Sequence, residues 1–367
     1  MNKSGPVGVG IIGAGNISDT YLENLTSFPD VNVLFVADLD LARAKEQASK
    51  YGVPGSGKVE ELLANGEIEI VVNLTIPATH VEIGLKAIES GKHVWCEKPY
   101  AIDRKSGEQL NNAAKEAGLK ISVAPDTFLG AGIQTALRAI ADGLIGKPVS
   151  ALALFQVEGP ESWHPNPAFY FQPGGGPLLD MGPYYLTAIV QIFGSAKKVT
   201  ATATMSKEER IFGAGPNKGD KFPVNVATQI SSLIEFENGG SAVVIFSFDS
   251  TINRAGFLEI TGTEGVAVLP DPNNFDGPTT LHLGSGQTKL LQAEGARYGR
   301  GVGALDLAQS IRTGRTEQAP GQLAFHVLDI MLSIIQSAQL GQTQWINSEF
   351  KPTTKLPIDW DPTIRTL

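Results

Sequence analysis

The sequence is poor in cysteine and has no long uninterrupted apolar run. Its one cysteine, Cys96, excludes an internal disulfide and a cysteine-rich zinc site, and we predict no metal site of any kind. No apolar run of about 18 residues occurs, and glycines interrupt the apolar segment near the amino terminus, so neither a membrane span nor a signal peptide is predicted. These absences favour a reducing compartment, and we expect a cytoplasmic protein.

Positive charge is scarce relative to negative charge. The 29 Lys and Arg residues face 38 Asp and Glu residues, and the net charge of −9 argues against a nucleic-acid partner. An apolar fraction of 42% is typical of a globular protein. The 367 residues exceed the roughly 250 to 300 at which a single core stops growing, so we predict two domains.

The first third of the chain alternates strand-like and helix-like segments. Short β-branched runs such as VGVGII and VNVLFVAD precede amphipathic stretches such as LARAKEQASKYG. This rhythm is typical of a doubly wound parallel sheet of the Rossmann type. We therefore predict a nucleotide-binding domain over residues 1–126.

After residue 126 the pattern changes to that of an α+β domain, predicted over residues 127–367. A helix is expected at about 131–143, followed by the strand VSALALFQVEG. The segments SSLIEFENGGSAVVIFSFDS and FLEITGTEGVAVL predict two hairpins of a large, mainly antiparallel sheet. Helices return at GALDLAQSIRTG and QLAFHVLDIMLSIIQSAQLG.

A glycine turn between the first strand and the first helix indicates a dinucleotide site. Gly13 suits the tight turn, and Gly15 lets backbone N–H groups approach a pyrophosphate; Ser18 replaces the third glycine of the usual pattern. Asp38 ends the second strand, where a carboxylate binds the ribose hydroxyls. Because Asp40 follows and no arginine stands beside this pair in the sequence, we expect NAD rather than NADP. A turn without ligand and a solvated strand-end aspartate are the alternatives.

Three further segments give the chain a resemblance to a known family. TIPATH at 75–80, CEKP at 96–99 and GGGPLLDMGPYY at 174–185 follow the glycine turn at separations that resemble those of the Gfo/Idh/MocA oxidoreductases. The resemblance implies an amino-terminal Rossmann domain and a second domain whose open sheet forms oligomers in many members. We therefore expect a homo-oligomer, a dimer or a tetramer.

The resemblance also implies roles for individual residues. Lys98 matches the lysine that contacts substrate and nicotinamide, Asp180 matches the carboxylate of the active-site helix, and Tyr184 stands where many members have histidine. The implied cofactor-binding residues are Gly13, Gly15, Asn16, Ile17, Asp38, Thr75, Pro77, His80, Glu97 and Lys98. For His80, a role as a satisfied residue at a helix start is equally compatible with the sequence.

Alcohol oxidation needs a hydride acceptor and a group that takes the hydroxyl proton. Burial beside a positively charged nicotinamide disfavours the ammonium of Lys98, so we predict this amine as the proton acceptor. Asp180 would orient the sugar hydroxyl, and Tyr184 would bind the substrate or relay the proton. Glu97 is expected to anchor its loop.

An aromatic loop, ESWHPNPAFYFQPGGG, precedes the segment that contains Asp180. Flat rings suit the C–H face of a sugar, so Trp163 and His164 are predicted substrate contacts, with ordinary packing as the alternative. For His326, core packing and a place beside the cofactor are both open.

The sequence thus predicts an NAD-dependent dehydrogenase that acts on a ring secondary hydroxyl of a sugar, glycoside or cyclitol, with a pyranoside or glycoside favoured. Two alternatives remain open. One is the reverse reaction, reduction of a keto-sugar or aldehyde. The other is a non-catalytic NAD-sensing regulatory protein on the same fold, favoured by the missing histidine and disfavoured by Lys98.

Overall fold

The structure is a computed structural model that describes residues 4–367. The chain forms two compact units. The first contains the described residues up to Ala131 together with Gly295–Phe325 and Leu356–Leu367, and the second contains Gly132–Glu294 and His326–Lys355. Because compactness alone defines these units, the predicted domain boundary after residue 126 stays a prediction.

The first unit is built on a six-stranded parallel sheet. Its first elements are β1 (Val7–Ile12), α1 (Asn16–Leu25), β2 (Val31–Ala37), α2 (Leu41–Tyr51), β3 (Gly55–Gly57), α3 (Val59–Ala64), β4 (Ile70–Asn73), α4 (His80–Glu89), β5 (His93–Cys96), α5 (Arg104–Ala117) and β6 (Ile121–Val123). The strand order β3-β2-β1-β4-β5-β6 confirms the predicted Rossmann architecture. Strands β1 and β4 are buried along their whole length, as expected for a parallel sheet.

Local chemistry sets the helix ends of this unit. Asp40 and Asp103 cap α2 and α5 by accepting hydrogen bonds from backbone N–H groups of the first turn. Gly52 and Gly118 end the same two helices in the left-handed conformation, which glycine adopts without strain. The sequence therefore specifies both boundaries of each helix.

The second unit contains a nine-stranded, mainly antiparallel sheet in the order β16-β15-β14-β13-β7-β12-β11-β8-β17 and a two-stranded ribbon, β9 with β10. The remaining elements of the chain are α6 (Ala131–Ala141), β7 (Pro148–Gln156), α7 (Pro177–Phe193), β8 (Ala196–Thr204), β9 (Glu209–Ile211), β10 (Lys221–Pro223), β11 (Gln229–Phe236), β12 (Ser241–Ser247), β13 (Phe257–Gly262), β14 (Gly265–Leu269), β15 (Thr279–Leu283), β16 (Thr288–Leu291), α8 (Val302–Thr313), α9 (Gly321–Leu340) and β17 (Gln344–Trp345). Both predicted hairpins, β11 with β12 and β13 with β14, are confirmed, and β7 pairs with β12 in parallel.

One face of the large sheet packs against α7, and the opposite face, called the open face here, carries solvent-exposed side chains of the described residues. Leu152, Leu233 and Val243 lie side by side on the open face, in β7, β11 and β12. Leu233 and Val243 are 43% and 42% exposed. Trp345 lies on the same face beside Lys198 and is also exposed. An apolar row across adjacent strands is therefore left uncovered within one chain.

Carboxy-terminal segments complete the first unit. Asp126 accepts hydrogen bonds from the backbone N–H groups of Gly301 and Gly303, at 2.8 and 3.1 Å, where α8 begins. Asp30 accepts from the backbone N–H groups of Thr366 and Leu367, at 2.8 and 3.0 Å. Segments far apart in the sequence are thereby fixed to one sheet.

Among the described residues, one helix is long and apolar enough to cross a membrane by length and composition. This helix is α9. Its most apolar 18-residue window has a mean hydropathy of 1.4, and 56% of that window is buried. Core helices of soluble proteins meet the same criteria, so this feature is weak support for a membrane span.

Candidate active site

The glycine turn between β1 and α1 has the geometry of a phosphate-binding loop. Gly13 has φ +105°, and a Cβ atom there would lie 2.7 Å from the carbonyl group of Leu74, so only glycine fits. A Cβ atom on Gly15 would meet no described atom within 4 Å, so space is open above the start of α1. The N-cap residue of this helix is Gly15, which has no side chain to cap the first-turn N–H groups. Open space beside uncapped backbone N–H groups fits a dinucleotide pyrophosphate.

Asp38 lies beside this turn, and the structure corrects one part of the sequence interpretation. Its carboxylate accepts hydrogen bonds from the backbone N–H groups of Ala14, at 2.7 Å, and Asp40, at 2.8 Å. Arg43 also contacts Asp38, with Nη2 at 3.0 Å from Oδ1. The expectation of no arginine beside this carboxylate was wrong, because the first turn of α2 brings Arg43 back to the strand end.

The pKa of Asp38 reflects opposing effects. Burial raises the pKa of this carboxyl group. The N–H groups of Ala14 and Asp40 and the guanidinium of Arg43 lower the pKa by more than burial raises it, so the net shift is downward. Asp38 is therefore an anion at neutral pH. It can accept hydrogen bonds from ribose hydroxyls, with a cation beside it.

The loop after β5 holds Lys98 through a buried hydrogen-bond chain. The indole of Trp95 donates to the hydroxyl of Tyr21 at 3.1 Å, and this hydroxyl donates to Glu97 Oε1 at 2.8 Å. The backbone N–H of Lys98 donates to Glu97 Oε2 at 2.9 Å. Glu97 therefore has the geometry of the predicted loop anchor, and the Lys98–Pro99 peptide bond is cis.

His80 joins two loops at the same edge of the sheet. Its Nδ1 lies 2.8 Å from the carbonyl oxygen of Pro99, and its Nε2 lies 2.9 Å from that of Thr75. The ring is buried at the start of α4, as in the alternative role considered from the sequence. Thr75 itself is half-buried, and Pro77 is exposed at the loop surface.

The predicted cofactor residues are thus brought to one edge of the parallel sheet. They follow the carboxyl ends of β1, β2, β4 and β5, where open α/β sheets bind their ligands. Asn16 and Ile17 begin α1 at this edge. Their individual contacts with a cofactor stay predictions.

In the second unit, α7 positions Asp180 in its first turn. Gly176 precedes the helix with φ +90°, and Pro177 is the first helical residue, where a missing N–H is tolerated. The helix continues through Pro183. Asp180 is half-buried, and Tyr184, one turn later, is buried.

A cavity of about 590 Å³ opens beside Asp180. Aromatic rings and polar groups share its wall, whereas none of its described lining residues is a lysine, an arginine or a histidine. The lining residues are Phe155, Val157, Glu158, Pro160, Trp163, Tyr170, Asp180, Met181, Phe248, Thr251, Asn253 and Asn273. This composition suits a neutral polyhydroxylated ring, because rings pack on its C–H face while amides and carboxylates bind its hydroxyl groups.

The aromatic loop contributes Trp163 to this cavity but does not bring His164 to it. Trp163 is 65% exposed. His164 packs edge to face against Trp163, Phe169 and Tyr170, and its Nδ1 accepts a hydrogen bond from the backbone N–H of Asn166 at 3.0 Å. Neither His164 nor Tyr184 lines this cavity, so their predicted contacts with substrate stay predictions.

Two family models match most of the chain. The oxidoreductase family with an NAD-binding Rossmann fold matches residues 7–125, and the GFO/IDH/MocA C-terminal domain matches residues 133–268. The chain belongs to the Gfo/Idh/MocA family of oxidoreductases.

Two relatives and one solved structure are similar to the chain over most of its length. Trans-1,2-dihydrobenzene-1,2-diol dehydrogenase of Bos taurus is 27% identical over 266 residues, which cover 72% of this chain and 74% of that protein. The 1,5-anhydro-D-fructose reductase of Ensifer adhaerens is 25% identical and covers 92% of this chain and 98% of its own. Levoglucosan dehydrogenase in complex with NADH and L-sorbose has the same fold, with a TM-score of 0.82 at 22% identity over 94% of this chain and 100% of that one.

The cavity of this Gfo/Idh/MocA protein also has lining residues that no local motif reveals. Glu158, Asn253 and Asn273 line the cavity but come from the loops after β7, β12 and β14. Met181, which adjoins Asp180, was within reach of sequence reasoning. The others were not, because only the pairing of strands places those loops together.

His326 proves to be a core residue of this oxidoreductase. Its Nε2 accepts a hydrogen bond from the backbone N–H of Ala196 at 3.0 Å, so its Nδ1 carries the proton and donates to Ser348 Oγ at 2.8 Å. Burial lowers its pKa to about 4. A fully hydrogen-bonded, neutral and buried ring is the core packing that the sequence left open.

Proposed function

We propose that the protein is an NAD-dependent dehydrogenase that oxidises a ring secondary hydroxyl of an uncharged sugar, glycoside or cyclitol. The observation that carries this proposal is the cavity beside Asp180, which combines aromatic walls with Asn253, Asn273 and Glu158. Because its described lining contains carboxylates and no cationic side chain, it disfavours sugar acids and sugar phosphates. A pyranoside or glycoside remains the favoured substrate.

The residue roles follow the family resemblance. NAD supplies the hydride acceptor when it is bound. Lys98 takes the hydroxyl proton, Asp180 orients the hydroxyl, and Tyr184 binds the substrate or relays the proton. Gly13, Gly15 and Asp38 hold the cofactor, and the open space above Gly15 supports this assignment.

The names of relatives support a ring substrate and leave the direction to experiment. They include a dihydrobenzenediol dehydrogenase, a levoglucosan dehydrogenase and an anhydrofructose reductase. We therefore keep reduction of a keto-sugar as the second candidate reaction.

We also propose a homo-oligomer in the cytoplasm. The row formed by Leu152, Leu233 and Val243 across the open sheet face supports a partner of similar surface, such as a second copy of the chain. The single buried cysteine is compatible with a reducing compartment.

The substitution Lys98→Ala tests the catalytic assignment. With NAD⁺ and a panel of neutral sugars and glycosides, we expect turnover to fall by about 10²- to 10⁴-fold, the usual contribution of a general base. The affinity for NAD⁺, measured by titration, should change little. Lys86→Ala is the matched control, since Lys86 pairs with Glu82 at the surface of the same unit.

Near-normal turnover by Lys98→Ala would rule out the proton-acceptor role. If the wild-type protein binds NAD⁺ but produces no NADH with any panel sugar, the NAD-sensing alternative is favoured instead.

A further inference from the structure

Arg210, in strand β9, is a buried cation with two carboxylate partners. Its side chain is 5% exposed, and its two terminal nitrogens donate to Glu161 and Asp249. Nη1 also donates to the carbonyl oxygen of Phe248 at 3.2 Å. The guanidinium lies 5.0 Å from the ring centre of Phe171. These ion pairs, the carbonyl hydrogen bond and the ring contact fix the position of the guanidinium.

The two carboxylates belong to different segments of the cavity wall. Glu161 lies between Pro160 and Trp163, which line the cavity beside Asp180. Asp249 follows Phe248 and precedes Thr251, which line it from the end of β12. Arg210 itself is absent from the described lining of the cavity, so it acts on this wall from behind.

Further hydrogen bonds tie both segments to the same region. Asp249 accepts from the hydroxyls of Ser206 and Thr228, each at 2.6 Å. The backbone N–H of Gly213 donates to the carbonyl oxygen of Glu161 at 2.7 Å. The only cation that contacts both carboxylates among the described residues is Arg210.

Charge makes this arrangement depend on the arginine. Glu161 and Asp249 are 19% and 17% exposed and bind the two ends of one guanidinium, so without Arg210 two carboxylates of like charge would face each other with little solvent. Two carboxylates that both reach one guanidinium repel each other once that guanidinium is removed. The other charged residues of the ribbon, Glu209 and Lys221, pair with each other at the surface.

We propose that Arg210 is a positioning residue for substrate, which holds the Pro160–Trp163 and Phe248–Thr251 segments in the arrangement that forms the sugar-binding wall. This inference rests on the proposed function for its consequence in catalysis. It does not require Arg210 to touch substrate or cofactor.

The variant Arg210→Met tests the proposal against Arg312→Met. Arg312 is a matched control because it is similarly buried, at 7% exposure, and pairs with Glu69 in the first unit, at the amino-terminal end of β4. For Arg210→Met we expect faster amide hydrogen exchange in residues 157–171 and 248–253, and a sugar KM raised about 10- to 100-fold, about the effect of losing one or two hydrogen bonds to the sugar. The affinity for NAD⁺ and the kcat at saturating sugar should change little, because the loss of binding that is equal in ground state and transition state raises KM and leaves kcat unchanged.

Neutral replacements of the two carboxylates separate positioning by charge from general destabilisation. Adding Glu161→Gln and Asp249→Asn to Arg210→Met removes both charges and should restore most of the lost sugar affinity. Arg312→Met should change neither the sugar KM nor the amide exchange of these segments.

Unchanged exchange in both segments, or a sugar KM within twofold of wild type, would overturn the proposal. The exchange measurement needs no substrate. If the wild type oxidises no sugar while Arg210→Met still accelerates exchange in these segments, the proposed function fails and the positioning of the wall by Arg210 stands.

Discussion

At the scale of single residues, Asp38 illustrates how a short-range contact alters a cofactor prediction. Its carboxylate favours ribose hydroxyls and repels a 2′-phosphate, but Arg43 lies 3.0 Å away and would attract one. The charge of the isolated DLD segment predicted NAD, whereas the structure presents an anion and a cation together beside the glycine turn. The preference depends on which of the two side chains faces the ribose.

The substitution Asp38→Ala should weaken NAD⁺ binding and strengthen NADP⁺ binding relative to wild type, because Arg43 then loses its anionic partner. Titration of both cofactors checks this expectation. Asp40→Ala is the control: Asp40 caps α2, so its loss should cost about 1 kcal/mol of stability and leave the cofactor preference unchanged. An unaltered preference in Asp38→Ala would refute the ribose assignment.

His326 makes stability depend on pH. Its folded-state pKa of about 4 lies below the ordinary value of 6.5, so the unfolded chain binds more protons between these values. The free energy of unfolding should therefore fall as the pH falls from 6.5 towards 4. His93, whose pKa burial also lowers to about 4, acts in the same direction.

Urea unfolding at several pH values checks this prediction. His326→Gln should lower stability near neutral pH and lose less stability on acidification than the wild type, because one of the two depressed histidines is gone. The same acid loss in both proteins would contradict the role assigned to His326.

At the scale of elements, the glycine turn separates the demands of the fold from those of the cofactor. Gly13→Ala should lower the thermal unfolding temperature, since φ is +105° and a Cβ atom would press on Leu74. Gly15 has φ −77° and open space, so Gly15→Ala should leave that temperature nearly unchanged. Because the methyl group would occupy the pyrophosphate position, we expect at least about tenfold weaker NAD⁺ binding. Normal NAD⁺ binding by Gly15→Ala would contradict the proposed pyrophosphate site at this turn.

The elements that sequence reasoning identified are those with strong local patterns. β1 and β4 are short β-branched runs before helical periods, and β11 with β12 alternates polar and apolar residues around an ENGG turn. The strands β3, β9 and β10 have only three residues each, so no periodicity can develop within them. β16 has four residues, of which three are exposed, and offers no apolar pattern to detect.

The candidate site was predictable to the same extent. Gly13, Asp38 and Lys98 stand in motifs whose spacing is local, and the fold places them at one sheet edge. The wall residues Glu158 and Asn273 and the buried Arg210 carry no motif, since tertiary pairing alone brings the first two to the cavity and Arg210 to Glu161 and Asp249. Arg43 was missed because the interpretation compared neighbours along the chain and not along the helix.

At the scale of the whole molecule, the open sheet face predicts association. Native mass measurement should give a multiple of the 38.9 kDa chain mass. The double variant Leu233→Glu and Val243→Glu places like charges on adjacent strands of this face and should yield the single-chain mass. Ile358→Glu, at an exposed aliphatic position of the first unit, is the control. A monomeric wild type would rule out the proposed homo-oligomer.

The first unit also has a consequence for synthesis. A ribosome releases the six strands of its parallel sheet early, but α8 leaves the ribosome only after Gly132–Glu294 of the second unit has been made, and the segment that carries Thr366 leaves after the whole of that unit. During translation, Asp126 and Asp30 therefore lack these backbone N–H donors until the later segments have been made. A nascent chain stalled before residue 300 should therefore hold an incomplete nucleotide-binding unit, more open to protease than the finished one.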